Sequence, residues 1–242
     1  MPHRLDPVEN APNDPSSPVL PGGDFPEPTG ELVQPIILLV DREEPCPEDE
    51  GIAVAALASV KALLANPRHP YWRIWAQGAF AKSVRRADSK MFAKVTLEFP
   101  DHELAEIGTA RALGFAPMEA GSLPKRLAKL QVSGTVLPPG EPMEPTSVRI
   151  VLDDSLGMST GKVAAQAAHA LFAWVLEGKP EELDAWRAAG CPLSIERIDS
   201  TAFRKNARTA DGPVIRDAGR TEITPGSATA FVSVSPRTQR RP

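Results

Sequence analysis

The chain has 242 residues, enough for one large domain or two small ones that each bury a core. Its formal net charge of −4 and pI near 5.7 give no overall argument for a nucleic-acid partner. Cys46 and Cys191 are too few for a disulfide framework and lack metal-ligating neighbours. No apolar run approaches the roughly 18–20 residues of a membrane span, and the segment MPHRLDPVENAPNDPSSP lacks the apolar core of a signal peptide. We therefore expect a cytoplasmic protein without a membrane partner.

The first part of the chain has the composition of a tail followed by an α/β unit. Residues 1–34 are rich in Pro, Asp, Glu and Gly and are predicted to be disordered. Hydrophobic runs and N-cap signals predict strands at 35–40, 80–86 and 127–132, and helices at 51–65, around Trp72 and Trp75, after Asp88, and at 101–113. The Pro-rich segment TVLPPGEPMEPT, residues 135–146, is predicted to be a linker at a domain boundary.

The second part of the chain has a similar series of elements. Strands are predicted at 148–152, 193–198 and 230–234, and helices at 160–175, 181–189 and 199–206. Residues 237–242 form a basic tail. The domains are therefore expected at 35–134 and 147–236.

An internal repeat relates the two parts. Aligning Asp41 with Asp153, an offset of 112, superposes the strands and several alanines of the helices that follow. At an offset of 111, Trp75 falls on Trp186 and RADSKMFAK (86–94) falls on RIDSTAFRK (197–205), with five of nine residues identical. The sequence predicts two repeated small three-layer α/β domains, each a mixed four-stranded sheet with helices on both faces.

The helix predicted at 160–175, TGKVAAQAAHALFAWV, is apolar around most of its circumference. Lys162, Gln166 and His169 interrupt this surface, and offsets of four and seven residues place them on one stripe. The first copy has Glu50, Val54 and Leu57 at these positions. Whatever the stripe binds, only the second copy can bind it.

The segment GMSTGK before this helix is not a Walker phosphate loop. Three residues instead of four separate its glycines, and Val163 follows the lysine where a Ser or Thr would bind magnesium. The helix N-terminus still favours an anion through its free N–H groups and dipole.

TGKVAAQAAHA, followed about fifty residues later by IRDAGRTEITPGSAT, resembles the peptidyl-tRNA hydrolase type II family. The resemblance covers roughly 147–236, so the first copy is expected to be a degenerate, non-catalytic one. The chain departs from the family pattern at Ala167, commonly a cysteine, at Glu222, often Gln, and at Ser159-Thr160, where another lysine is common. The segment before Asp217 is also shorter than usual.

The resemblance implies hydrolysis of the ester between a peptidyl group and tRNA, without a metal or cofactor. It places Lys162, Asp217 and Thr221 at the family's catalytic positions. Ester hydrolysis requires an activated water and a donor for the oxyanion. Asp217 can orient or deprotonate the water and Thr221 can hold it, while Lys162 can stabilise the oxyanion or bind the terminal phosphate.

Substrate contacts are expected from Gln166, His169, Arg197, Lys205 and Arg220. Gln166 and His169 have an alternative reading as polar groups that pack against the Asp217 loop. Basic residues of the first copy extend the expected RNA surface, namely Lys82, Arg85, Arg86, Lys90 and Lys94.

Two further functions remain open, a non-catalytic RNA-binding protein and a hydrolase of another acyl ester or amide. Family members are typically homodimers. The first copy is therefore expected to replace the partner in an intramolecular pseudo-dimer; otherwise the chain is a homodimer.

Overall fold

A computed structural model describes residues 27–218 and 223–234. The first half contains, in chain order, β1 (Leu32–Leu39), α1 (Glu48–Ala65), α2 (Tyr71–Gln77), β2 (Ala81–Ala87), α3 (Ser89–Glu98), β3 (His102–Ile107), β4 (Ala110–Phe115), β5 (Met118–Glu119) and α4 (Lys125–Ala128). The second half contains β6 (Val148–Asp153), α5 (Thr160–Glu177), α6 (Pro180–Ala188), β7 (Leu193–Ile198), α7 (Ser200–Asn206), β8 (Ile215–Arg216) and β9 (Ala228–Val234).

The two halves contain sheets of the same topology. The strand order is β2-β1-β4-β3 in the first half and β7-β6-β9-β8 in the second, and the short β5 adds a fifth strand to the first sheet. In each sheet the first two strands of the chain are parallel and the remaining pairs are antiparallel. Helices α1 and α5 cover one face, and α3 and α7 pack on the other through Phe92 and Phe203. The predicted fold class, repeated three-layer α/β units with mixed sheets, is confirmed.

A turn in each half repeats the same backbone geometry. Phe80 and Cys191, 111 residues apart, have φ values of 51° and 59° and are the non-glycine residues with positive φ in the described part of the chain. The Phe80 N–H donates to the Trp75 carbonyl at 3.1 Å, and the Cys191 N–H donates to the Trp186 carbonyl at 3.0 Å. Two positions in an uncommon conformation, with the same hydrogen bonds, support the repeat independently of residue identity.

Strand pairing corrects the alignment of the repeat. Ile37 lies opposite Arg85, and Val151 lies opposite Glu196, which follows Arg85 by 111 residues. Val151 is therefore the counterpart of Ile37, at an offset of 114. The helices still correspond at 112, because α1 begins at Glu48 and α5 at Thr160. The loop before α1 is thus two residues longer than the loop before α5, and Asp41 does not match Asp153.

The helix predicted at 101–113 is wrong, because these residues form the β3–β4 hairpin. Their high helix propensity is overridden by the place of β4 inside the sheet, where Ala112 pairs with Leu38. A glycine is required at 114, because a Cβ atom there would lie 1.9 Å from the carbonyl oxygen of Ala58 in α1.

Two further predictions in the first half also need correction. The strand predicted at 127–132 is replaced by α4 and an isolated bridge between Arg86 and Gln131. Arg85 donates to the carbonyls of Leu127, Ala128 and Leu130, which a strand would need for its own pairing. The predicted disordered tail ends too late, because β1 begins at Leu32. Residues 1–26 of that tail and the basic tail at 237–242 lie outside the described residues.

The halves share one hydrophobic core in which α1 packs along α5. The ring of Phe172 on α5 lies 5.5 Å from Trp72, 5.0 Å from Trp75 and 5.6 Å from Phe80, measured between ring centroids. The predicted linker also packs into this core, since Leu137 is 4% exposed. No helix in the described residues is long and apolar enough to cross a membrane.

Lys82 and His169 meet where the two halves pack together. The Lys82 ammonium lies 4.1 Å from the ring centroids of Trp75 and Phe172 and donates to Gln34 Oε1 at 2.9 Å. The His169 ring lies 5.0 Å from the ring of Phe80. Burial lowers the pKa of both groups well below their usual values, and the charge of Lys82 lowers the pKa of His169 further.

We predict that His169→Leu reduces the acid sensitivity of the fold. Because the folded protein binds this proton more weakly than the unfolded chain, the free energy of unfolding decreases as the pH falls below about 6.5, the ordinary histidine pKa. Leucine stands at the matching position of α1, Leu57. Thermal melting at about pH 7.5 and about pH 5.5 should therefore show a smaller decrease in Tm for the variant than for the wild type. An equal decrease would contradict this account.

Candidate active site

The topology brings the start of α5 close to the end of β8, because β6 and β8 end on the same side of the second sheet. β6 and β8 both run antiparallel to β9 and therefore point in the same direction. Lys162 lies in the first turn of α5, which follows β6 through a short loop, and its side chain is half-buried. Asp217 directly follows β8 and is 4% exposed. These two sequence-predicted residues thus lie on adjoining elements at one edge.

A buried hydrogen-bond chain holds Gln166 next to Asp217. Gln166 Nε2 lies 3.5 Å from Asp217 Oδ1, and Thr229 Oγ1 lies 3.0 Å from Gln166 Oε1. Thr229 is fully buried on β9, and its hydroxyl also lies 3.2 Å from the carbonyl of Ile215. Because the hydroxyl can donate to the amide oxygen, it fixes the orientation of the Gln166 side chain with the NH₂ group toward the carboxylate.

The backbone at Asp217 is held by the turn that precedes β9. The Asp217 N–H donates to the Ser227 carbonyl at 2.9 Å, and the Gly226 N–H donates to the Asp217 carbonyl at 2.8 Å. Gly226 has a φ of 83°, and Ser227 N–H closes the turn onto the Thr224 carbonyl. Pro225-Gly226-Ser227 therefore belongs to the turn that leads into the last strand.

The other sequence-predicted site residues lie in different surroundings. Thr221 and Arg220 lie outside the described residues. Lys205 is exposed on α7, on the other face of the sheet from α5. His169 lies about 10 Å further along α5 than Lys162 and faces Phe80 of the first half, so the predicted stripe does not form one site.

Arg197 is bound by three carboxylates. Its guanidinium lies 2.9 Å from Glu48 Oε2, 2.7 Å from Asp49 Oδ1 and 2.9 Å from Asp154 Oδ1. These ion pairs occupy Nε, Nη1 and Nη2 of the guanidinium. They connect β7 to the first half instead of presenting the charge to a ligand.

The basic residues expected at an RNA surface of the first copy are also largely engaged within the fold. Lys82 lies against aromatic rings, Arg85 donates to carbonyls at the end of α4 and just after it, and Arg86 binds Gln131 and the carbonyl of Gly134. Lys90 and Lys94 are exposed on α3.

The first half has a different set of residues at the matching positions. Ala105 pairs with Ala112 as Ile215 pairs with Ala230. Because the register shifts between Ile215 and Arg216, Arg216 pairs with Ala228 as Ile107 pairs with Ala110, and Asp217 follows β8 where Gly108 follows β3. Residues 217–227 lie between β8 and β9, whereas only Gly108 and Thr109 lie between β3 and β4.

Glu50, at the position of Lys162, reaches this short turn. Its Oε2 accepts hydrogen bonds from the Thr109 N–H at 2.9 Å and the Thr109 hydroxyl at 3.3 Å. Val54 stands at the position of Gln166. At the matching positions the first half therefore lacks the lysine, the amide and the carboxylate of the second half.

Sequence analysis did not identify Thr229 and Glu48 as residues of this region. Thr229 is a polar residue within a buried strand, a pattern that can mark a functional contact but also occurs in ordinary cores. Glu48 lies 112 residues before Thr160, and only the folded chain brings the two together. Among residues 27–218 and 223–234, no three His, Cys, Asp or Glu side chains converge as a metal site.

We predict that Thr229→Val destabilises the second half. Valine has nearly the same shape but leaves Gln166 Oε1 without its buried donor, at a cost of about 1–3 kcal/mol in the free energy of unfolding. Urea denaturation measures this loss. The matched control is Thr209→Val, because Thr209 is exposed and should change stability by less than about 0.5 kcal/mol. Equal effects of the two substitutions would show that the buried hydrogen bond contributes nothing.

Comparison with known proteins finds a family match in the second half of the chain. The model of the family described as "Peptidyl-tRNA hydrolase PTH2" matches residues 146–241. A peptidyl-tRNA hydrolase of Aeropyrum pernix is 36% identical over 104 residues, which is 38% of this chain and 83% of that protein. One of Methanocaldococcus jannaschii is 33% identical over 96 residues, which is 36% of this chain and 83% of that protein. The mitochondrial peptidyl-tRNA hydrolase 2 of Mus musculus is 32% identical over 133 residues, 51% of this chain and 72% of that protein. The chain belongs to the peptidyl-tRNA hydrolase PTH2 family.

Proposed function

We propose that this protein hydrolyses the ester bond between a peptidyl group and tRNA, without a metal, and that Lys162, Asp217 and Thr221 perform the reaction. The observation that carries the proposal is the buried Asp217, held by Gln166 at the sheet edge where α5 begins with Lys162. This arrangement lies in the half that matches proteins named peptidyl-tRNA hydrolase.

The chemistry follows from the properties of these groups. Gln166 binds Oδ1 of the Asp217 carboxylate and so orients this group, which acts as the base that accepts a proton from a water. The water oxygen attacks the ester carbonyl carbon, and Lys162 stabilises the negative charge that develops on the carbonyl oxygen. Thr221 holds this water in the position from which it attacks the carbonyl carbon. When the C–O bond breaks, the 3′ oxygen of the tRNA takes up a proton, and the products are a peptide acid and free tRNA.

The proposed substrate contacts differ in the support that they have. Lys205 is exposed and can approach the phosphate backbone, and Arg220 is close in sequence to Asp217. Arg197 and His169 are not proposed as substrate contacts. Arg197 is bound by three carboxylates, and His169 packs between the halves. Gln166 acts by positioning Asp217 and not by direct contact with the substrate.

We propose that residues 35–134 take the place of a partner subunit, joined by the linker 135–146 to the catalytic domain 147–236. Helices α1 and α5 begin at matching positions, Glu48 and Thr160, and these two side chains contact each other. Contact between matching residues is expected at a two-fold axis, here an approximate axis within one chain. The matching turns at Phe80 and Cys191 agree with this symmetry.

Two other functions remain alternatives, non-catalytic binding of RNA and hydrolysis of another acyl ester or amide. Simple binding does not require a buried carboxylate that is held by its own hydrogen-bond chain, which favours catalysis. Between the two hydrolytic functions, competition by uncharged tRNA distinguishes a tRNA substrate from a small acyl substrate.

We predict that the protein releases the peptide from an N-blocked aminoacyl-tRNA in the presence of a metal chelator. Asp217→Ala should reduce the rate by at least about 100-fold, because it removes the group that activates the water. Asp184→Ala is the matched control, since Asp184 is exposed on α6, and it should retain full activity. Binding of tRNA without turnover would favour the RNA-binding alternative, and loss of turnover on chelation would contradict the metal-free reaction.

We predict that the chain is a monomer in solution. The face of α5 on which a partner subunit would pack is covered by α1 of the same chain. Sedimentation equilibrium should give the mass of one chain, 25.9 kDa, over a wide range of concentration. A stable homodimer would contradict the intramolecular pseudo-dimer.

A further inference from the structure

We propose that Glu48 of the first half is a positioning residue for Lys162 and that the first half contributes to catalysis through this contact. Glu48 begins α1, and one of its carboxylate oxygens accepts a hydrogen bond from the hydroxyl of Thr160. Thr160 begins α5 and lies two residues before Lys162. This inference rests on the proposed function, because it assumes that Lys162 acts on the substrate.

The second carboxylate oxygen of Glu48 is held in a half-buried ion cluster. It lies 2.9 Å from Arg197 Nη2, and the side chains of Glu48 and Arg197 are 26% and 27% exposed. Arg197 also binds Asp49 of α1 and Asp154 in the loop that enters α5. Because water screens such charges only partly, the cluster restrains Glu48 in the orientation that meets Thr160.

The first half also contacts the residue between Thr160 and Lys162. A Cβ atom at Gly161 would lie 3.4 Å from Thr135 Oγ1 and 3.5 Å from the carbonyl oxygen of Val132. Thr160 itself is 5% exposed. The end of the first half and the start of the linker therefore cover the start of α5, and Glu48 holds Thr160 there by a hydrogen bond. Fixing this turn matters because a misplacement of about 1 Å can reduce a rate about 100-fold.

The contact is asymmetric, because the two residues at the matching helix starts are of different types. Glu48 and Thr160 are matching residues, so two copies of the second half related by the same axis would bring Thr160 to Thr160. In this chain the first copy places a carboxylate there instead. A negative charge next to the N-terminus of α5 is also favourable for the helix dipole.

The test compares Glu48→Ala with Asp49→Ala. Both substitutions remove one ion pair to Arg197, but only Glu48 contacts Thr160, so Asp49→Ala controls for the loss of charge. Steady-state kinetics on an N-blocked aminoacyl-tRNA should show kcat lowered at least about tenfold by Glu48→Ala with KM nearly unchanged. Asp49→Ala should keep both constants within about twofold of the wild type.

Two further variants separate positioning from general destabilisation. Glu48→Gln should restore most of kcat, because its amide oxygen can still accept from Thr160. Thr160→Val should lower kcat as Glu48→Ala does, and the double variant should be no slower than either single one. Equal effects of Glu48→Ala and Asp49→Ala, or additive effects in the double variant, would overturn the inference.

Amide hydrogen exchange at 160–163 tests the contact independently of activity. Exchange should be faster in Glu48→Ala than in the wild type and in Asp49→Ala. A wild-type protein without hydrolase activity would refute the proposed function, whereas unchanged exchange in Glu48→Ala would refute the positioning role. The two failures are therefore distinguishable.

Discussion

The packing of α1 against α5 is the interaction on which the rest of the structure depends. In each of these 18-residue helices twelve residues are buried, so neither helix can be covered by its own sheet alone. Both helices carry buried alanines, among them Ala55 and Ala167, and each helix shields remaining apolar surface of the other. The pairing makes the two sheets one molecule with a continuous core, and it brings the N-termini of both helices together.

The approximate correspondence of the two halves fits the proposal that both keep the same packing while only the second carries a site. Apolar positions of the two halves match, as in Phe92 and Phe203, because both sheets need the same kind of packing. Polar positions differ, because Glu50 binds a short hairpin turn in the first half, whereas Lys162 stands at the matching position in the first turn of α5. Glu48 stands at the position of Thr160 and supplies a contact that two identical halves would lack.

Sequence analysis predicted most of the fold where local signals and packing agree. The strands that open each half, the helices after Asp88 and Asp199, and the repeat of the Trp75 and Trp186 turns were all visible in the sequence. The helix predicted at 101–113 was wrong, because pairing with β1 places residues of high helix propensity in a central strand, β4. Sequence analysis also misjudged the register of the repeat by two residues, since matching alanines in α1 and α5 do not reveal a longer loop before α1.

By itself, the sequence determined that the chain holds two related α/β units and that only the second has the lysine, glutamine and aspartate of a candidate site, because periodicity and motifs are local properties. It also indicated the family through two separated motifs. Only the tertiary structure decided which side chains meet. Gln166 turns to Asp217, His169 turns to the first half, and Arg197 is bound by carboxylates, although all three looked equally available in the sequence. These choices depend on the angle at which two helices and two sheets pack, which no single segment encodes.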